Sequence, residues 1–204
     1  MTKIILLNGP PGSGKDTLAD LCVQRLDWTK LRFKDNLIDI TATLYGVHVD
    51  DVEEILADRK AKEEPNPLFL GKSLRQALIH VSENIVKKHF EEAWLGVLLA
   101  RNIKHLVEYN DSLHDADVTY DPRKEDVFII ADSGFHQEVA PLFATFGKKN
   151  VALVKLHREG CDFQFDSRSY LQSNFFEKAY TIPNEGHIEA AYAHLIVNIM
   201  EDFL

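Results

Sequence analysis

The sequence predicts a single three-layer α/β domain, residues 1–204, around a central parallel sheet of about five strands. Two observations carry this prediction: short apolar runs recur along the chain, and segments with helical periodicity lie between them. Strands that alternate with helices pair in parallel through right-handed crossovers, which places helices on both faces of the sheet. A chain of 204 residues, 45% of them hydrophobic, is long enough to bury one sizeable core.

The first half of the chain is mostly helical by its pattern. Residues 3–7 form an apolar run that predicts a buried strand, and residues 31–33 predict a short second strand. Gly46 ends one predicted helix, Ser73 caps another, and the prolines near residue 66 break the chain between them. The predicted helices of this half are 15–26, 36–45, 50–62, 73–89 and 91–109.

The second half of the chain alternates strands with helices. Residues 110–126 are polar, acidic and without periodicity, so we expect a loop there. The continuous apolar run 127–131 predicts a strand that is covered on both faces. The remaining predicted elements are a helix over 138–146, a strand over 151–156, an irregular segment over 159–176, a short strand over 179–182 and a closing helix over 186–203.

Charge and composition narrow the classes of partner. The formal net charge is −9, and the basic residues are scattered among more numerous acids, whereas proteins that hold duplex DNA usually have a basic face. This balance favours a small nucleotide over a long polyanion, without excluding a local basic groove. The two cysteines give no disulfide framework or metal spacing, and neither a long apolar run nor a signal peptide is present. We therefore expect a soluble cytoplasmic protein with no membrane partner.

The segment 9–17 has the strongest functional signal in the chain. It reads Gly-Pro-Pro-Gly-Ser-Gly-Lys-Asp-Thr between a predicted strand and a predicted helix, which is the context and spacing of a phosphate-binding P-loop. The glycines let the backbone turn tightly and point successive N–H groups at an anion, and the start of the helix adds its positive dipole. The expected phosphate contacts are Gly9, Gly12, Ser13, Gly14 and Lys15.

The two residues after the lysine depart from the commonest form of this loop. Asp16 stands where Ser or Thr is usual, and the hydroxyl follows at Thr17. This Gly-Lys-x-Thr order resembles that of small-molecule phosphotransferases of the adenylate kinase type. Thr17 is therefore the expected magnesium ligand. Asp16 either contacts magnesium-bound water or the acceptor phosphate, or only begins the helix, where an acidic residue is favourable.

Asp132 is a second candidate because it follows the predicted strand 127–131. Ligands of parallel sheets bind beyond the carboxyl ends of the strands, so this carboxylate should lie across from the P-loop. It could arrange magnesium there or act on the acceptor. The alternative is that it caps the helix that begins near His136. Glu138 is nearby, and it could be no more than a solvated residue of a first helical turn.

Basic residues that could neutralise phosphate charge are the next candidates. Arg158 and Arg168 flank the irregular segment, as they would in a mobile lid, although salt bridges to Glu159 or Asp166 are an equal alternative for each. Asn184 begins a turn that could pack against a nucleotide base or be a plain connector. The acceptor-side candidates are Arg32, Lys34, Asp35 and Arg75.

Together these features resemble the phage deoxynucleoside monophosphate kinases and related P-loop nucleotide kinases of the adenylate and thymidylate kinase type. The resemblance rests on residues 12–17, 33–37, 74–94 and 184–186, on Asp132, and on Arg158 with Gly160. It implies a three-layer, nucleotide-kinase-like P-loop NTPase fold with acceptor-side helices over about 34–109 and a lid-like segment over about 158–176. It also implies ATP with Mg²⁺ as the donor and a (deoxy)nucleoside monophosphate as the acceptor.

The resemblance assigns catalytic roles to Lys15, Asp16, Asp132, Arg158 and Arg168. Relatives often have Asp-x-Arg at the strand end, whereas this chain has Asp132-Ser133-Gly134. One alternative is therefore a phage DNA kinase that phosphorylates 5-hydroxymethyluracil within DNA, located in the host cytoplasm. Another alternative is a non-catalytic nucleotide-binding regulatory module. The expected partner is a small-molecule nucleotide, with DNA for the first alternative, and a homodimer is left open.

Overall fold

The computed structural model contains one sheet of five parallel strands in the order β2-β3-β1-β4-β5. The strands are β1 (Thr2–Asn8), β2 (Thr29–Leu31), β3 (Asp126–Ser133), β4 (Val151–His157) and β5 (Lys178–Pro183). The structure describes residues 1–58, 60–114, 126–164 and 166–204. β1 lies at the centre, where residues 4–7 are fully buried because helices cover both faces. The predicted sheet is confirmed.

Two helical layers cover the two faces of the sheet. One layer contains α1 (Lys15–Leu26) and α8 (Ile188–Asp202), and the other contains α6 (Trp94–His114) and α7 (His136–Phe146). Side chains alternate along a strand, so Ile5 packs in the core with α1 and α8, and Ile4 packs in the core with α6 and α7. The fold is therefore the predicted three-layer α/β architecture.

The remaining helices form a group with its own apolar clusters beside the sheet. They are α2 (Phe33–Tyr45), α3 (Val49–Ala57), α4 (Leu74–His80) and α5 (Lys87–His89). A π-helical stretch, Val81–Val86, joins α4 to α5, so the predicted continuous helix over 73–89 has a wider turn in its middle. Phe69 and Val81 are fully buried among these helices. This group covers the first part of the span 34–109 that was predicted as acceptor-side helices, and is called by that name below. The last helix of the span, α6, lies on the sheet instead, and the acceptor role of the span stays a prediction.

Several element boundaries differ from the prediction. Phe33 was predicted in a strand but begins α2, because the Asp132 carboxylate accepts a hydrogen bond from its N–H group. The helix predicted over 50–62 ends at Ala57. α6 continues to residue 114, into the predicted loop, and Asn110 Nδ2 ties this end to Asp126 Oδ1 at 2.9 Å. Residues 115–125 of that predicted loop lie outside the described residues.

The segment 158–176 contains only one short 3₁₀ turn, Ser173–Phe175, among its described residues, as the irregular pattern predicted. The ends of this segment attach to β4 and β5, next to the carboxyl edge of the sheet. Among the described helices, none combines the length and the apolar character that a membrane crossing requires.

Candidate active site

The P-loop connects β1 to α1, and its backbone explains why glycine occupies three positions. Gly12 and Gly14 have φ angles of 80° and 96°, a region that other residues rarely adopt. At Gly9 the reason is a close approach, since a Cβ atom would lie 2.7 Å from the carbonyl oxygen of Leu156 in β4. The loop therefore has the tight turn that the sequence predicted.

Lys15 lies inside this turn, at the first residue of α1. Its Nζ donates hydrogen bonds to the carbonyl oxygens of Gly9 at 2.6 Å and Pro10 at 2.8 Å. Burial lowers the pKa of Lys15 to about 8, and the positive charge of Arg168 acts in the same direction. A bound anion would favour the charged ammonium and reverse this shift, so the site is suited to a phosphate.

The residues after Lys15 lie in the exposed first turn of α1. The Asp16 side chain is 68% exposed and lies 3.3 Å from Lys30 Nζ, which is consistent with the interpretation that it begins the helix. Thr17 is also exposed in this turn. Its hydroxyl is therefore accessible from solvent beside the loop.

Asp132 caps a helix, although not the helix considered from the sequence. Its two carboxylate oxygens accept hydrogen bonds from the N–H groups of Phe33 at 2.8 Å and Lys34 at 3.1 Å, at the start of α2. Burial raises the pKa of Asp132, and these two amides and the Lys34 ammonium oppose that shift. The carboxylate thus joins the end of β3 to the acceptor-side helices.

The residues around the loop fit magnesium only in combination with a nucleotide. Among the described residues, no group of three or more His, Cys, Asp or Glu side chains could hold a metal ion. Magnesium usually keeps several waters and takes one or two protein oxygens together with substrate phosphates. The Thr17 hydroxyl and the Asp132 carboxylate are oxygen ligands of this kind.

Arg168 lies against Gly134, the second residue after Asp132. Its guanidinium donates to both carboxylate oxygens of Asp166, at 2.9 and 2.6 Å. Its stem covers Gly134 so closely that a Cβ atom there would lie 2.5 Å from the Cβ of Arg168. The salt bridge to Asp166, one of the two alternatives from the sequence, is present, and the role of Arg168 in a lid over the phosphates stays a prediction.

Arg158 contacts the P-loop directly. Its exposed guanidinium donates from Nη1 to the carbonyl oxygen of Gly12 at 3.0 Å. The sulfur of Cys161 lies 3.4 Å from the position of a Cβ atom on Gly12, so the start of the 158–176 segment is folded against the loop. An arginine placed here can reach the phosphates that the loop would bind.

Asn8, which the sequence analysis overlooked, fastens the other end of this segment. Its side-chain amide donates to the carbonyl oxygens of Ser133 at 3.0 Å and Ser169 at 3.1 Å, and its Oδ1 accepts from the N–H of Leu171 at 2.8 Å. Leu171 is fully buried. The sequence contains one signal for this role, because Asn8 is a polar residue directly after the apolar run 4–7.

Asn184 braces the P-loop from the turn after β5. Its Nδ2 donates to the carbonyl oxygen of Ser13 at 2.8 Å, and a Cβ atom on Gly14 would lie 2.4 Å from that nitrogen. The Asn184 Oδ1 is buried without a hydrogen-bond partner among the described residues. The residue therefore supports the loop, and its contact with a base remains a prediction.

A cavity of about 620 Å³, called the main cavity below, lies between the loop side of the sheet and the acceptor-side helices. Five cationic and five anionic side chains line it beside a set of apolar ones. The cationic residues are Lys34, Lys62, Arg75, Lys87 and Arg168, and the anionic residues are Glu83, Asp132, Glu138, Asp162 and Asp166. The main cavity is therefore charge-balanced rather than strongly basic.

Two predicted acceptor residues lie elsewhere. Arg32 forms ion pairs with Asp35 and Glu53, and all three line a second pocket of about 420 Å³ with Lys30, Ile38 and Asp39. Lys34 and Arg75 do line the main cavity, where Arg75 Nη1 lies 3.1 Å from Glu63 Oε1. The structure thus separates the four acceptor-side candidates into two groups.

Glu138 is a buried wall residue of the main cavity, not a solvated one. It is only 4% exposed, and Gly96 of α6 packs directly against its backbone. Burial raises the pKa of Glu138 to about 8, with the negative charge of Asp132 as the second cause and Lys87 and Arg168 opposing. Perturbed carboxyl groups in cavities are common at functional sites.

Comparisons with known proteins leave the family of this chain open. No model of a known protein family matches it, and no curated protein sequence matches it. Similar solved structures include a sugar kinase from Janibacter sp. HTCC2649, with 12% identity and a TM-score of 0.48 over 98% of this chain and 95% of that chain.

Two further similar structures extend over nearly the whole chain. A protein from Thermus thermophilus has 13% identity and a TM-score of 0.48 over 98% of this chain and 97% of that chain. A gluconokinase from Sinorhizobium meliloti 1021 has 11% identity and a TM-score of 0.36 over 98% of this chain and 96% of that chain. Likeness at these values carries no argument about activity, so functional inference depends on the geometry of the site.

Proposed function

We propose that this chain is an ATP-dependent phosphotransferase whose acceptor binds in the main cavity. The observation that carries the proposal is the meeting of a P-loop, its buried Lys15 and two arginines at one edge of the sheet, beside that cavity. Phosphoryl transfer depends mainly on positioning and on neutralising the charge of the transferred group. These are the functions that this arrangement can perform.

The P-loop amides and Lys15 would hold the donor phosphates, and Asn184 would keep the loop in shape through Ser13. Arg158 and Arg168 would neutralise the charge that develops during transfer. Mg²⁺, held by the phosphates with Thr17 and Asp132, would supply further charge neutralisation. Asp16 would act only indirectly, through the start of α1.

The first acceptor class that we propose is a (deoxy)nucleoside monophosphate. Lys34 and Arg75 line the main cavity and offer positive charge to an acceptor phosphate. The apolar side chains of Phe33 and Leu78 could cover a base, and the volume is in the range of small-molecule sites. A phosphate acceptor is already a nucleophile, so this reaction needs no strong base.

A second acceptor class is a hydroxymethylated pyrimidine, either free or as 5-hydroxymethyluracil in DNA. The observation that favours it is the pair of carboxyl groups, Asp132 and Glu138, in the cavity wall. A hydroxyl group must lose its proton during transfer, and a carboxylate can accept that proton.

The test is transfer of radiolabelled phosphate from γ-labelled ATP with Mg²⁺ to a panel of monophosphates and hydroxymethyluracil duplexes. We expect transfer with the wild-type protein and a loss of at least ~100-fold with Lys15→Ala, because the donor phosphates lose their buried cation. Lys149→Ala, an exposed lysine after α7, is the matched control. Failure of every acceptor would support the non-catalytic nucleotide-binding module instead, and full activity of Lys15→Ala would show that the transfer does not depend on this P-loop.

A further inference from the structure

We propose that the group phosphorylated in the main cavity is a hydroxyl of a neutral, nucleoside-sized acceptor, and that Glu138 accepts the proton of that hydroxyl. This inference rests on the proposed phosphotransferase function and chooses between its two acceptor classes. Three features of the cavity wall support it. They are the different surroundings of the carboxyl groups of Asp132 and Glu138, the burial of Glu138, and the ion pairs that most of the cavity's cations form.

The two carboxyl groups of the wall differ in what surrounds them. Both oxygens of Asp132 already accept N–H groups of α2, and the proposed function also assigns this carboxylate to Mg²⁺. Glu138 lies among charges of both signs on neighbouring elements. They are Asp132 on β3, Glu83 on the π-helical stretch, Lys87 on α5 and Arg168 on the 158–176 segment. Of the two, Glu138 is the one that has no helix to cap and is left for a ligand.

The fold holds Glu138 in the wall by a close helix crossing. α6 approaches α7 so closely that a Cβ atom on Gly96 would lie 2.0 Å from the backbone oxygen of Glu138. Burying a carboxyl group is unfavourable unless it gains partners. Glu138 is 4% exposed and lines the main cavity, so a ligand that donates a hydrogen bond to its carboxyl group would supply such a partner.

The charges of the cavity favour a neutral acceptor over a phosphate monoester. Three of the five cationic side chains are paired with carboxylates: Lys87 with Glu83, Arg168 with Asp166, and Arg75 with Glu63. Of the other two, Lys34 and Lys62, Lys34 interacts with the charge of Asp132. A phosphate in this cavity would need to compete with those carboxylates, and as pH rises through about 8 the ionised Glu138 would also repel it. A hydroxyl carries no charge and donates a hydrogen bond to a carboxylate.

The apolar part of the lining suits the rest of such an acceptor. Phe33, Leu37, Leu78, Leu95 and Phe135 face the main cavity. A planar base or another uncharged ring can pack against side chains of this type. A nucleoside therefore satisfies both the apolar lining and the carboxyl wall.

The proposed step balances as follows. The hydroxyl oxygen of the acceptor forms a bond with the γ-phosphorus of ATP, and the bond from that phosphorus to the β–γ bridging oxygen breaks. The hydroxyl proton passes to a carboxylate oxygen of Glu138 and then to solvent. The products are the phosphate monoester of the acceptor, ADP and one proton.

Matched acceptors test the choice of class. Deoxynucleosides, including 5-hydroxymethyl-2′-deoxyuridine, are compared with their 5′-monophosphates, and a hydroxymethyluracil duplex is compared with a thymine duplex. Transfer to a free nucleoside supports the proposal. Transfer only to the hydroxymethyluracil duplex would show that the acceptor group is a hydroxyl but would overturn the proposal that the acceptor is a small molecule. Transfer only to the monophosphates overturns the inference while the phosphotransferase function stands. Lack of transfer to all acceptors overturns both.

Substitution of Glu138 tests its role. We expect Glu138→Gln to lower kcat on a hydroxyl acceptor by ~100-fold or more with little change in KM or ATP affinity, because it keeps the shape and removes the base. The kcat of the wild type should rise with pH towards about 8, and the residual activity of Glu138→Gln should lack that rise. Glu201→Gln, at an exposed site on α8, is the control.

A second variant tests the same role if the Glu138→Gln protein does not fold. Glu138→Asp keeps the carboxyl group but withdraws it from the acceptor, so we expect an intermediate kcat that still rises with pH. Wild-type kcat in Glu138→Gln, or a rise of kcat with pH in Glu138→Gln equal to that of the wild type, would overturn the assignment. If Glu138→Gln does not fold, wild-type kcat in Glu138→Asp would overturn it.

Discussion

The donor side and the acceptor side of this site are built in different ways. The donor side is a single segment, residues 9–17, whose backbone and lysine carry the phosphate-binding geometry together. The proposed acceptor side combines side chains from β3, α7, the stretch from Val81 to α5, and the 158–176 segment, which are far apart in the chain. A local site tolerates change in distant elements, whereas an assembled site depends on how they pack.

The largest expected effect concerns stability on the acceptor side. The raised pKa of Glu138 means that the folded protein binds more protons than the unfolded chain between its ordinary pKa of 4.5 and about 8. The contribution of Glu138 to the free energy of unfolding should therefore be largest below this window and fall by ~2–4 kcal/mol as pH rises through it. The raised pKa of Asp132 acts in the same direction.

Urea unfolding at pH 5 and pH 8.5 measures this fall. Glu138→Gln should lose most of it, because a neutral amide carries no ionisation cost, and Asp132 should leave a smaller remainder. The exposed-site variant Glu201→Gln should keep the wild-type difference. Equal pH dependence in wild type and Glu138→Gln would show that Glu138 is solvated, and the contrast between the two sides would lose its main support.

The same contrast explains which parts of the site the sequence could predict. The P-loop was predictable because its motif, its strand and its helix are contiguous, and the order of strands and helices was enough for the parallel sheet. The cap between Asp132 and Phe33 joins residues 99 positions apart, so no local pattern announces it. Arg168 beside Gly134 and the burial of Glu138 against Gly96 are likewise tertiary contacts.

A glycine substitution tests how strictly the donor side depends on its backbone. Gly14→Ala would impose a φ angle of 96° on a residue with a Cβ atom and would bring that atom 2.4 Å from Asn184 Nδ2. We expect the affinity for ATP to fall ~30- to 100-fold, equivalent to ~2–3 kcal/mol of backbone strain and displaced contact. Equilibrium titration with ATP and Mg²⁺ measures the change.

Gly46→Ala is the matched control for the loop variant. Gly46 also has a positive φ angle, 65°, but no atom lies within 4 Å of its Cβ position. The Gly46→Ala substitution should lower the free energy of unfolding by ~1 kcal/mol, because it strains the end of α2, and should leave the affinity for ATP unchanged. Equal ATP affinities for the two variants would mean that the loop tolerates a side chain and that Asn184 does not brace it.

The smallest effect that we predict is a difference in kcat between substitution of Arg158, which contacts the P-loop, and substitution of Arg32, which lies in the second pocket. Arg158→Ala removes an exposed guanidinium that reaches the Gly12 carbonyl, and we expect a fall in kcat of ~10-fold at saturating ATP. Arg32→Ala removes a side chain that is more buried but is paired with Asp35 and Glu53 away from the main cavity. Its kcat and acceptor KM should equal those of the wild type. If Arg158→Ala had the wild-type kcat and Arg32→Ala had a lowered kcat or a raised acceptor KM, the acceptor would bind in the second pocket. A contact with the P-loop would then not be what makes an arginine important for activity.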